Sequence, residues 1–179
     1  KAAKLLGIDR IYLAGGAQAV AAMAYGTESI PKVDKIFGPG NQYVTMAKTI
    51  VQSTTNTAID MPAGPSEVLV IADETANPIF VAADLLAQAE HGVDSQAVLV
   101  CKSEEILAQT LIQLEKQLAV LPRKEIAAKA IENSYAVLVK DLNIAMEFSN
   151  KYAPEHLILA TSNFETLIPL IINAGSVFL

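Results

Sequence analysis

Both histidines of this chain sit in short runs where their neighbours could share chemistry with them. In Gln88-Ala89-Glu90-His91, an amide and an imidazole lie three residues apart, so on a helix they share a face. Asp84 precedes them by one turn on the same stripe. An amide oxygen and an imidazole nitrogen one turn apart can both reach a single metal ion. The plainer alternative is a solvated polar face whose terminal histidine complements the helix dipole. In Pro154-Glu155-His156, a carboxylate stands beside an imidazole. At a strand entrance both can line a cleft and divide the work of base and acid. The alternative is a surface glutamate next to a half-buried histidine.

Two glycine turns and a serine are weaker signals. Gly38-Pro39-Gly40-Asn41 and Gly15-Gly16-Ala17-Gln18 each lead into a helical pattern, and a free helix N-terminus can hold a phosphate. Neither is a G-x-G-x-x-G run, and that motif is absent from the sequence. Ser66 follows Ala63-Gly64-Pro65 in a context unlike the G-x-S-x-G nucleophile elbow, so it is read as binding or as satisfying a turn. Cys101 lies among Val98 and Val100 and reads as an inert core thiol.

The elements that must position these residues alternate between short β-type and longer helical patterns. Arg10 to Ala14, Lys35 to Phe37 and Thr57 to Asp60 read as strands. Helices are expected over 17–25 and 41–51, the second capped by Asn41. After the Pro/Gly-rich stretch around 60–66, strands are expected at Val68 to Ile71, Ala97 to Cys101, Tyr135 to Val139 and His156 to Ala160, with another beginning at Val177. Helices between them start at Asn77-Pro78, Ser103, Pro122 and Asp141, and a further one spans Phe164 to Ile172. The first of these is expected to run to His91 and close on Gly92. Strands alternating with helices argue for a parallel sheet covered by helices, and the 60–66 stretch is the best internal boundary.

Composition limits the function. The chain has 179 residues, 52% hydrophobic and 18% charged, enough for a real core and unlike a disordered chain. A net charge of −6 argues against a nucleic-acid partner. Mean hydropathy is high at +0.36, yet no apolar run reaches the roughly 18 residues of a membrane span. One cysteine cannot form an internal disulfide and fits a reducing, cytoplasmic setting. The start at Lys1 and the stop at Val177-Phe178-Leu179 lead to the expectation of a piece of a larger protein.

Taken in order, Gly15-Gly16-Ala17-Gln18-Ala19, Phe37-Gly38-Pro39-Gly40-Asn41, Ile59-Asp60-Met61-Pro62-Ala63-Gly64-Pro65-Ser66-Glu67, Gln88-Ala89-Glu90-His91-Gly92 and Pro154-Glu155-His156-Leu157 resemble histidinol dehydrogenases. The resemblance runs through essentially the whole chain. It implies an α/β fold of incomplete doubly wound, Rossmann-like parallel sheets with helices on both faces, in two parts. Residues 1–61 would end one domain and 62–179 would form most of a second. It also implies NAD- and zinc-dependent oxidation of L-histidinol to L-histidine through the aldehyde. By the same resemblance Gln88 and His91 would ligate zinc and touch substrate, and Glu155 and His156 would be the acid/base pair, with His156 also touching substrate. Ser66 would contact substrate, and Gln18 and Asn41 would contact NAD.

The family's remaining zinc ligands, and the homodimer contacts that supply some of them, lie outside these residues. The chain alone is therefore expected to bind zinc weakly and to turn over little. A non-catalytic nucleotide- or metabolite-binding module of the same fold is the competing expectation.

Overall fold

The computed structural model describes residues 1–60 and 66–179. The chain divides into two compact units, Lys1–Gly64 and Pro65–Leu179. The expected boundary between residues 61 and 62 lies outside the described residues.

The first unit is small. A single-turn helix α1 (Ala2–Leu5) is followed by α2 (Gly16–Tyr25), β1 (Lys35–Ile36), α3 (Gln42–Thr54) and β2 (Ala58–Ile59). The strands β1 and β2 pair in parallel, Lys35 with Ala58 and Ile36 with Ile59. Asn41 caps α3 as its sequence suggests, its side chain accepting from the amides of Tyr43 and Val44 at 3.1 and 3.2 Å. Val20 and Ala24 of α2, Val51 of α3, and Ile36 and Ile59 of the strands make the core. The strand expected at Arg10 to Ala14 does not form. That segment is exposed, and no described strand lies beside it to pair its backbone.

The second unit is a five-stranded, fully parallel sheet. Its strands are β3 (Glu67–Ala72), β4 (Gln96–Cys101), β5 (Tyr135–Leu138), β6 (His156–Ala160) and β7 (Ser176–Phe178). Their order across the sheet is β5-β4-β3-β6-β7. The chain steps outward in one direction through β4 and β5, then returns to the far side of β3. This is the winding of a dinucleotide-binding half-fold, with its reversal point between β3 and β6.

Side-chain alternation divides the core in two. Val68, Val70, Ala97 and Leu99 face α4 (Pro78–Ala89), α5 (Glu104–Val120) and α6 (Lys124–Glu132). Leu69, Ile71, Val98, Val100, Leu157 and Leu159 face α7 (Leu142–Tyr152). With both faces covered, the central strands are continuously apolar. Asn77, Ser103 and Asp141 cap α4, α5 and α7 with their side chains, as expected.

Two expectations fail for local reasons. Helix α4 ends at Ala89 with Glu90 as its C-cap, so His91 and Gly92 lie in the turn beyond it. The expected helix Phe164 to Ile172 is two 3₁₀ turns, Phe164–Thr166 and Ile168–Leu170. Pro169 has no amide to donate and its ring blocks a continuous α-helix.

Candidate active site

In a parallel sheet every strand begins at the same edge, and a helix following a strand returns to that edge. Unit two therefore gathers its chemistry-bearing residues at the amino ends of its strands. Ser66 precedes β3, and its carbonyl accepts from the Gln96 amide at 3.2 Å. Glu155 and His156 open β6. Gln88 and His91 stand at the end of α4, the helix that brings the chain back from β3 to the start of β4.

His156 shares a side of the sheet with this helix. It registers with Val68 on β3, and residues paired in register project to the same face. Two and four residues on, Ile158 and Ala160 pack against the cluster beneath α4. The imidazole is half-buried, with the Phe178 ring centroid 5.9 Å away. Its Nδ1 lies 3.8 Å from Glu155 Oε2, too long for a hydrogen bond, and has no other partner among the described residues. Glu155 is the more exposed of the two.

Gln88 is 7% exposed and its Nε2 also lacks a partner among the described residues. An orphaned amide this deep is costly unless something else satisfies it. The Gln88 carbonyl accepts from the His91 amide at 3.1 Å, so the pair stays joined by one turn after the helix ends. Burial pushes the Asp84 carboxyl up in pKa, one turn before Gln88. No side-chain hydrogen bond among the described residues links the Gln88–His91 turn to the Glu155–His156 pair; what they share is the edge of the sheet, and His156 also shares the face that α4 covers.

The turn into β6 is tightly specified. Ala153 ends α7 in the left-handed region at φ 56°, its amide donating to Ser149 O at 2.8 Å. Tyr152 donates its hydroxyl to Gln96 Oε1 at 2.6 Å, while Gln96 Nε2 donates to Asn133 O at 2.8 Å. Burial, with Glu67 nearby, pushes the Tyr152 phenol up to about 12. On the other side, Gly175 and Ser176 donate their amides to Pro154 O and Glu155 O at 3.0 and 2.8 Å.

Unit one assembles a second set of residues by the same logic. Tyr25 and Thr54, at the ends of α2 and α3, share a hydrogen bond of 3.1 Å. The C-terminal ends are thus adjacent, and topology puts both N-termini at the carboxyl edge of β1 and β2. Gln18 and Asn41 stand at those N-termini. Gln18 folds back over Gly16, which sits at φ +71°; a Cβ there would come within 2.9 Å of Gln18 Oε1. Asn41 Oδ1 is already used by two amides, so Nδ2 is the donor it can offer a ligand.

Two residues of this loop escaped the sequence reading. Lys48 is 4% exposed; its Nζ donates to Gly38 O at 2.7 Å and pairs with Asp60. Asp60 Oδ2 accepts from the Gly38 amide at 2.8 Å. The Lys48 ammonium and the Gly38 amide hold the Asp60 carboxyl below the usual range. The signal was available: Lys48 falls on the inward stripe of α3 with Val44 and Val51.

Among the described residues, no three His, Cys, Asp or Glu side chains are grouped to hold a metal, and no helix is long and apolar enough to cross a membrane. Cys101 is buried, its thiol pushed up by burial.

Fold and site together define a doubly wound α/β protein that collects an amide–imidazole pair and a carboxylate–imidazole pair at the amino edge of its sheet. The family model described as histidinol dehydrogenase matches residues 1–179. The chain belongs to the histidinol dehydrogenase family. It is 64% identical over 178 residues to histidinol dehydrogenase of Bacteroides thetaiotaomicron, covering 99% of this chain and 41% of that protein. To that of Campylobacter jejuni strain RM1221 it is 60% identical, covering 99% and 42%. The chain thus spans about two-fifths of these curated relatives.

The crystal structure of histidinol dehydrogenase from Elizabethkingia anophelis superposes with a TM-score of 0.92 at 61% identity, covering 98% of this chain and 40% of that one. Gamma-glutamyl phosphate reductase from Thermotoga maritima, at 16% identity and a TM-score of 0.50, covers 90% of this chain and 44% of that one and shares the fold alone.

Proposed function

We propose that this chain carries the central catalytic residues of an enzyme that oxidises L-histidinol to L-histidine through the aldehyde, in histidine biosynthesis, with two NAD⁺ reduced in succession. The observation that carries the reading is the common edge of Gln88, His91, Glu155 and His156 in a chain of this family, with His156 on the α4 side of the sheet and Gln88 Nε2 and His156 Nδ1 both lacking partners among the described residues. In the first oxidation, His156 takes the hydroxyl proton as hydride leaves the carbinol carbon for NAD⁺. Glu155 then accepts a proton from water as its oxygen adds to the aldehyde carbon, while His156 returns its proton to the former carbonyl oxygen, giving the hydrate and leaving the imidazole neutral again. Hydride leaves the hydrate for the second NAD⁺, and His156 takes the remaining proton. Ser66 hydrogen-bonds substrate at the start of β3, while Gln18 and Asn41 Nδ2 contact the nucleotide.

Gln88 and His91 have the donor types and spacing to hold zinc, the rest of its ligands lying outside this chain. Gln88 would hold the metal through its Oε1, while its buried Nε2, without a partner among the described residues, is a donor left for an acceptor on a bound ligand. When bound, zinc supplies a Lewis-acidic anchor that fixes the pose of an imidazole and an amine. The reading includes a cytoplasmic homodimer, a domain boundary between residues 61 and 62, and little turnover by these 179 residues alone.

Glu155→Gln in a full-length enzyme carrying this sequence tests the division of labour. Oxidation of supplied aldehyde should fall by about 10²-fold or more, while the first hydride transfer, followed in a single turnover, should change little. Equal loss of both half-reactions would remove the water-activating role.

A further inference from the structure

Lysine is rarely buried without a reason, because its ammonium must be stripped of water. Lys48 is 4% exposed on the inward face of α3, beside Val51. Leucine or methionine would fill that stripe without the electrostatic cost. What the ammonium does instead is grip one residue of the loop Gly38-Pro39-Gly40-Asn41. It donates to Gly38 O at 2.7 Å and pairs with the Asp60 carboxylate. The other oxygen of that carboxylate accepts from Gly38 N at 2.8 Å. Both backbone polar groups of one residue are held by two mutually paired side chains.

That residue has an unusual conformation. Gly38 sits at φ +138°, which side-chain-bearing residues seldom adopt. Two positions later, a Cβ on Gly40 would overlap the Val44 side chain, so the loop lies directly on the first turn of α3. Asn41 then spends Oδ1 on capping. The loop is fixed at both ends: by the ion pair where it leaves β1, and by close packing and the cap where it enters α3.

We propose that Lys48 and Asp60 are positioning residues for nucleotide binding: their ion pair locks Gly38 so that the loop presents Asn41 Nδ2 to NAD. Neither needs to touch the nucleotide; they act through the backbone of Gly38. The inference rests on Asn41 contacting NAD and goes beyond it in assigning what holds that contact in place.

The test is steady-state kinetics of the zinc-loaded, full-length enzyme carrying Lys48→Met, Asp60→Asn or Asn41→Ala. Lys48→Met should raise the NAD KM by about tenfold, with the histidinol KM and the bound zinc unchanged. Asp60→Asn keeps an acceptor for the Gly38 amide but loses the charge. It should give a smaller rise of the same kind, and it carries the test if Lys48→Met does not fold. A merely structural role would lower stability and kcat without separating the two KM values. If Asn41→Ala raises the NAD KM but neither Lys48→Met nor Asp60→Asn does, the clamp is refuted and the Asn41 contact stands. If none of the three raises it, the contact and the clamp fall together.

Discussion

Gly175→Ala tests how the Glu155–His156 pair is held. Gly175 enters β7 beside the turn that carries the pair, and its amide donates to Pro154 O. A Cβ built on Gly175 would lie 2.7 Å from Glu155 O and 3.4 Å from Glu155 C and Cα, where ordinary contact begins near 3.4 Å. The obstacle is backbone, so no side-chain rotation relieves it; the two segments must separate by about 0.7 Å. Gly175 is not among the glycines with positive φ, so alanine brings no conformational strain of its own. The substitution is a purely steric wedge.

Overpacking of this kind costs about 1–3 kcal/mol, and weakening the Gly175 and Ser176 bonds to Pro154 O and Glu155 O falls within that range. Catalysis should suffer more, since a misplacement of about 1 Å near reacting groups can cost on the order of 10²-fold. The expected result in the full-length enzyme is a kcat lowered by about tenfold or more, with the NAD KM unchanged and a modest fall in melting temperature. A kcat within about twofold of the parent, with the variant folded, would refute the reasoning that the β7 entrance sets the position of Glu155.

Tyr152→Phe removes the 2.6 Å bond to Gln96 and leaves Gln96 Oε1 without its donor; it should destabilise by about 1 kcal/mol, read as a lowered denaturation midpoint, and an unchanged midpoint would count against that bond. Asp60 gives a pH prediction. Its folded pKa is depressed, so its contribution is fully present above the unfolded aspartate value of about 3.9 and is lost as pH falls from there through the lower folded value. The amide resonance of Gly38 should titrate with a midpoint below about 3.9 and lose that titration in Asp60→Asn; a midpoint at or above 3.9 would contradict the ion pair.

Much of the scaffold was legible because its signals are local. Asn41, Asn77, Ser103 and Asp141 each announce a helix start, and each caps one. The continuous apolar run Val68 to Ile71 reads as a strand covered on both faces, and it is the centre of the sheet. What failed depended on partners or on one residue. Arg10 to Ala14 has strand-like residues but no described neighbour, and a parallel ladder cannot be read from one strand. Pro169 outweighs an otherwise helical pattern over Phe164 to Ile172. The candidate site residues stand in short motifs, but the contacts that hold them in place do not show in the sequence. Gly175 acts on a residue 20 positions earlier through a contact that only the β6–β7 pairing creates. Lys48 was visible in principle, as a charge on an apolar stripe.

The absence of a glycine fingerprint from the sequence has a structural counterpart at the opposite edge of unit two. A doubly wound sheet normally takes its ligand at the carboxyl ends of its strands, where the winding reverses. Here that point lies between β3 and β6, and the turn after β3 reads Asp73-Glu74-Thr75-Ala76-Asn77-Pro78, with no glycine. Asp73, 5% exposed, accepts from the amide and hydroxyl of Thr75 at 2.9 and 2.5 Å. Thr75 Oγ1 in turn accepts from the Ser162 amide at 3.0 Å, tying the turn after β3 to the one after β6. Asn77 fills the first turn of α4 by accepting from Ile79 N. The helix end that a dinucleotide fold leaves bare for phosphate is capped by its own side chains. Buried polar groups without a partner among the described residues occur at both edges, Thr161 Oγ1 just after β6 and Gln88 Nε2 and His156 Nδ1 at the amino edge, but only the amino edge has histidines. On the proposed function the chemistry of this unit lies at the end where strands begin, where Ser66, Glu155 and His156 each stand at or just before the first residue of a strand.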